Sequence, residues 1–194
     1  MPNHGVQRSL PQRWPANVQY IDALTYHSSV PAVLRSDINP SSRKIGRSGG
    51  VSPRPPVVIR PIVEASHPAF GQFGLFATKK IPPRTHILDY IGEVHCEDRP
   101  ASDYDLSLYR TPDGTSVGVD SSRMGNEARF INDFRGIKPK PNAVFEDRRN
   151  TAGDLCMSVW SGCDIIKKGE EILVSYGQDS IHYVCAERCR THFC

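Results

Sequence analysis

With 194 residues, the chain has room for one domain with extensions rather than for two full domains. Its 24 basic and 21 acidic side chains leave a formal charge of +3, too mild by itself to argue for a nucleic-acid binder. No apolar run reaches membrane-spanning length, and the polar, proline-rich start Met1-Pro2-Asn3-His4-Gly5 lacks a signal peptide's apolar centre. The expectation is an intracellular protein with no membrane partner, whose six cysteines are reduced thiols or metal ligands.

Residues 1–40 carry Trp14, Val18, Tyr20, Ile21, Leu24 and Tyr26, enough for a short packed element. They read equally as an arm docked on the core or as a flexible tail. Residues 41–56 are a linker by composition: ten of the sixteen are Ser, Gly or Pro, and the charges Arg43, Lys44, Arg47 and Arg54 are all basic. From Val57 the pattern turns to short strands separated by turn signals. Val57-Val58-Ile59 begins it, and Phe76-Ala77 leads into the turn Ile81-Pro82-Pro83. Residues 86–94 read as a strand pair with a bend at Gly92. Residues 105–109 and 116–120 flank Pro112-Asp113-Gly114, a strong hairpin signal. Further strands are expected at 143–145, 157–160 and 172–175, with a turn at Lys167-Lys168-Gly169-Glu170. Residues 123–130 allow one or two helical turns at most, so the domain should be mostly β, assembled from several small sheets.

Three stretches, in this order, resemble the SET domain family of protein-lysine methyltransferases. Gly71-Gln72-Phe73-Gly74-Leu75-Phe76-Ala77, followed by Asp89-Tyr90-Ile91-Gly92-Glu93, is similar to the family's glycine turn and Tyr-x-Gly-Glu strand. Gly125-Asn126-Glu127-Ala128-Arg129-Phe130-Ile131-Asn132, closed by Pro141-Asn142, is similar to its Gly-Asn…Arg-Phe-Ile-Asn-His…Pro-Asn segment. Gly169 to Gly177 is similar to the strand ending in its near-constant tyrosine. The resemblance implies a SET-type β-clip fold over residues 57–178, with a knot-like C-terminal crossing and few short helices. Residues 179–194 then form a C-terminal flanking segment.

The same resemblance implies methyl transfer from S-adenosylmethionine to a protein lysine, leaving S-adenosylhomocysteine. Such a transfer is an in-line displacement, with the amine about 3–3.5 Å from the methyl carbon. A lysine with a pKa of about 10.4 must first lose its proton, which an apolar, desolvating channel favours. Aromatic walls suit the lysine stem and can hold its cationic product. By resemblance Tyr176 and Tyr90 are the catalytic tyrosines, and Phe145, Val174 and Tyr104 shape the substrate channel. Phe145 and Val174 carry no hydroxyl there, which hints at di- or trimethylation. Cofactor binding is expected from main-chain groups at Phe73, Gly74 and Leu75, from Arg129, Phe130 and Asn132, and from the backbone at Asp133. Tyr176, Tyr90 and Phe130 also have plainer readings as strand or core packing.

Two departures from the family stand out. Its Asn-His-Ser-Cys is here Asn132-Asp133-Phe134-Arg135, without the histidine or the zinc-site cysteine. Cys185, Cys189 and Cys194 could hold zinc with His182 or His192, but their spacing and the missing cysteine argue against a metal. A flap built from Ile181, Tyr183 and Phe193 is the preferred reading of the tail. Glu93, Glu97, Asp98, Asp103 and Asp105, opposed by Arg99, suggest an acidic wall for a basic substrate such as histone H3 or a nucleosome, or simply a solvated loop. The basic linker could touch DNA phosphates weakly. A nuclear location follows from that substrate, and the oligomeric state cannot be read. The rival function is a catalytically inactive SET-like module that binds peptides or scaffolds.

Overall fold

The computed structural model describes residues 9–43, 54–150 and 152–177. Among them lie two short pairing segments, β1 (Gln19–Tyr20) and β2 (Thr25–Tyr26), then a helix, α1 (Ala32–Ile38), and a 3-10 turn at Pro40–Arg43. The strands that follow are β3 (Val57–Pro61), β4 (Phe73–Ala77), β5 (His86–Tyr90), β6 (Glu93–His95), β7 (Asp105–Arg110) and β8 (Ser116–Asp120). After β9 (Met124–Gly125) and a 3-10 turn at Glu127–Phe130 come β10 (Asn132–Asp133), β11 (Ala143–Arg149), β12 (Leu155–Ser161) and β13 (Leu173–Val174). This is the mostly-β, many-sheet architecture expected from the alternating short runs.

The strands divide into small sheets: β2-β6-β8-β7, β11-β12-β5, and the pairs β3-β4, β1-β9 and β10-β13. No single sheet could bury enough surface alone. The core is therefore shared, with Ile59, Leu75, Val94, Val117, Val119, Val159, Ile166 and Ile172 meeting at its centre. Gly92 is required where the chain leaves β5 for β6, since a Cβ there would stand 2.4 Å from the main-chain oxygen of Asp120.

Residues 18–41 pack on this core instead of trailing from it. β1 runs parallel to β9 and β2 parallel to β6. Val18, Val30 and Ile38 are buried, and the buried carboxylate of Asp154 accepts from both the N–H (3.0 Å) and the hydroxyl (2.7 Å) of Ser41.

The C-terminal strand is gripped from both sides. Leu173 exchanges bonds with Asn142, whose N–H donates to its carbonyl (3.1 Å) and whose Oδ1 accepts from its N–H (2.8 Å). Val174, facing the other way, accepts from Phe134 N–H (2.9 Å), and β13 pairs in parallel with β10. One loop, residues 134–142, thus connects the two flanks of β13. This is the knot-like crossing, and its consequence is that Tyr176 leaves β13 beside Ile131 and Asp133.

Candidate active site

A cavity of about 1360 Å³ opens where these sheets meet. One end is built from rings. Tyr90, at the end of β5, is almost fully buried, and its hydroxyl donates to the carbonyl of Tyr104 at 2.7 Å. Phe145 of β11 stands edge-on to it, centroids 5.7 Å apart. Tyr176, 47% exposed as a residue, reaches back to donate its hydroxyl to the carbonyl of Ile131. Burial, then the neighbouring charges of Asp133, Tyr104 and Glu171, push its phenol up to about 12. Burial likewise raises Tyr90 well above the ordinary tyrosine value, with Tyr176 adding to the effect. Both phenols are therefore hydrogen-bond donors, not proton acceptors, near neutral pH.

The other end is a polar shelf under β4. Phe73 and Asn132 line it with Gly71 and Gln72. Asn132 Nδ2 donates to the Phe73 carbonyl (3.2 Å) and to Glu171 Oε1 (2.8 Å), so its amide is oriented by two acceptors. Glu171 is buried and takes a second bond from His67 Nε2 at 3.1 Å. Behind the shelf Phe130 packs edge-on against Phe73 (6.2 Å) and Trp14 (5.8 Å). Arg129 stacks over the Tyr104 ring at 4.1 Å and donates from Nε to Ser121 O at 3.0 Å. Its guanidinium is thus committed to holding the cavity wall.

Tyr176, Tyr90, Phe145, Tyr104, Phe73, Arg129, Phe130 and Asn132 all line this one cavity. Gly74, Leu75, Val174 and Asp133 do not. Gly74 and Leu75 pair with Arg60 and Ile59 of β3, and Leu75 O also accepts from Ile172 N–H. The glycine is needed by the protein itself, since a Cβ at Gly74 would lie 2.5 Å from Glu171 Oε1. Val174 is wholly buried in the core.

Asp133 works through its side chain. Its carboxylate accepts from Tyr176 N–H (2.6 Å), Arg135 N–H (2.8 Å) and Arg135 Nη1 (2.7 Å). Arg135 Nη1 also donates to the Tyr176 carbonyl at 3.0 Å. The departure Asn-Asp-Phe-Arg therefore clips both main-chain groups of the residue that presents the phenol.

The acidic insert differs from the expected wall. Arg99 binds Glu93 (2.8 Å) and Asp120 (3.0 Å), and Asp105 accepts from His95 Nε2 (2.8 Å). Glu97 lies 3.4 Å from His27. Much of that charge is spent inside the fold, and Asp103, Asp105 and Asp147 are the carboxylates lining the cavity. Pro15, Asn17 and Val18 also line it, from the N-terminal arm. The sequence offered no motif for them. Glu171 did carry a signal, a charge next to the apolar run Ile172-Leu173-Val174. Among the described residues no group of His, Cys, Asp and Glu is placed to hold a metal. The tail cysteines, the expected flap and residues 44–53 of the basic linker lie outside the described residues.

The SET domain family model matches residues 72–177, more than half of the chain, so the protein belongs to the SET domain family. No curated protein matches. Among solved structures, ATXR5 in complex with histone H3.1 mono-methylated on R26 aligns with a TM-score of 0.60 at 18% identity, covering 87% of each chain. A Polycomb Repressive Complex 2 structure carrying Ezh2 mutations aligns at TM-score 0.51 and 23% identity. It covers 66% of this chain and 16% of that one. A humanized mutant of the Chaetomium thermophilum complex is similar, at TM-score 0.51, 24% identity and the same coverage. These likenesses are of fold, over 87% of the chain in the first case and 66% in the others.

Proposed function

We propose that the protein is an S-adenosylmethionine-dependent protein-lysine methyltransferase acting on a basic segment of a nuclear protein, histone H3 foremost. The observation that carries the reading is the single cavity joining the ring-lined end to the Asn132 shelf. The residues fit the cofactor. With Nδ2 turned to Phe73 O and Glu171, Asn132 keeps Oδ1 as an acceptor for a ligand ammonium. When bound, the cofactor supplies a methyl group made electrophilic by its sulfonium.

The chain's own residues then do three things. Tyr90, Phe145 and Tyr176 enclose a lysine stem and exclude water, which favours the neutral amine over the ammonium. The phenols of Tyr176 and Tyr90, by binding the Ile131 and Tyr104 carbonyls, fix oxygen acceptors around the reacting centre. The Asp133–Arg135 clip holds Tyr176 so that the approach stays in line. No side chain is needed as a strong base. β7 and β11 are both outer strands of their sheets, so the mouth between Asp105–Arg110 and Phe145–Asp147 offers open backbone and carboxylates to an extended basic peptide. The ATXR5 complex with a histone H3 peptide supports this substrate class.

Methyl transfer to recombinant histones and nucleosomes, compared between wild type and Tyr176→Phe, tests the proposal. The variant should keep its fold and cofactor affinity while turnover falls on the order of 100-fold. Unchanged turnover would remove Tyr176 from this role. A wild type that releases no heat on titration with millimolar S-adenosylmethionine would point to a non-catalytic peptide-binding module.

A further inference from the structure

His67 lies outside the motifs that mark the site and does not line the cavity, yet it is fixed more firmly than a loop residue needs to be. Its side chain and that of Glu171 are each only 8% exposed. Ala69 N–H donates to His67 Nδ1 at 3.0 Å, so Nδ1 is an acceptor and the ring proton resides on Nε2. That proton points at Glu171 Oε2, 3.1 Å away. The other carboxylate oxygen, Oε1, accepts from Asn132 Nδ2, which also donates to the Phe73 carbonyl. The line therefore runs from backbone to imidazole to carboxylate to amide, and each link sets the orientation of the next. Gly74 leaves the space the carboxylate occupies.

A buried carboxylate with one oxygen unpartnered is costly, and it would turn to recover a partner. Asn132 would then lose the acceptor that orients its amide. We infer that His67 is a positioning residue that acts through Glu171 to hold Asn132 and the Phe73 carbonyl ready for the amino-acid end of the methyl donor. The inference rests on the proposed cofactor and names a residue that the motifs do not. Outer partners of this kind typically change the affinity of the group they support by 10- to 100-fold.

The test uses the full chain. In cofactor-free protein, long-range proton–nitrogen correlation spectra should show His67 as the Nε2–H tautomer, and an Nδ1–H ring would overturn the inference. By calorimetry, His67→Leu should weaken S-adenosylmethionine binding about tenfold, with turnover at saturating cofactor within about twofold of wild type. His67→Gln, which keeps a donor, should recover most of the affinity. Should His67→Leu fail to fold, Glu171→Gln serves the same purpose, since its single amide oxygen cannot accept from both His67 and Asn132 and affinity should again fall about tenfold. If wild type binds cofactor and the folded variants bind equally well, the positioning role is wrong while the proposed function stands. If wild type binds none, both fall.

Discussion

The two ends of the cavity are built on opposite principles. At the ring-lined end the polar atoms are few, and the two tyrosine hydroxyls are each spent on a main-chain carbonyl. At the shelf a buried carboxylate, an amide and an imidazole satisfy one another in a chain. On the proposed function, the first arrangement would exclude water and fix where a reaction occurs, and the second would hold a polar ligand without taking part in its chemistry. Substitutions at the ring end should therefore alter rate and leave binding alone, and substitutions at the shelf should do the reverse.

Asn132→Ala should break the contrast most strongly on the shelf side. It removes the proposed ligand contact and leaves Glu171 Oε1 without its partner, so cofactor affinity measured by calorimetry should fall on the order of 100-fold. Asp133→Ala tests the ring end. Loss of the acceptor for Tyr176 N–H should slow methyl transfer roughly tenfold, with cofactor affinity nearly unchanged. Gly74→Ala would force a methyl group into contact with Glu171 and Ile62. A loss of about 1–3 kcal/mol in denaturant unfolding, accompanied by weaker cofactor binding, is the expected result.

The smallest effect concerns pH. Below the ordinary tyrosine value of 10.0, folded and unfolded chains both keep the Tyr176 proton. Above it the unfolded chain releases that proton first, because the folded phenol titrates at about 12, so stability declines as pH rises through this interval. Tyr176→Phe should lose less thermal stability than wild type between pH 10 and pH 12. Turnover of wild type should climb from about pH 7 to about pH 9.5 as the substrate amine deprotonates.

The sequence made the strands from Val57 onward legible because alternation and turn residues are local signals. It also located the ring end, since Tyr90 and Tyr176 sit in recognisable strand-ending contexts. Local signals do not report long-range pairing, and what the sequence left unseen follows from that. Nothing local shows that Gly74, expected to let a ligand approach, also makes room for Glu171, distant in sequence. The acidic insert read as a wall opposed by Arg99 or as a solvated loop, and nothing local showed Arg99 reaching Asp120 or His95 reaching Asp105. β1 and β2 are two residues each and exist only through parallel pairing with β9 and β6, so no periodicity could announce them. Asp133 read as a backbone contact, and no local signal showed that its carboxylate also meets Tyr176, which it does because β10 and β13 lie side by side.

The claim that one cavity unites a methyl donor with a dry channel is tested most directly by a crystal structure of the chain with S-adenosylhomocysteine. The account predicts the ligand's amino-acid end on Asn132 and Phe73, with its sulfur facing the gap between the Tyr90 and Tyr176 rings. A ligand seated away from Asn132, or a sulfur screened from those rings by intervening protein, would contradict it.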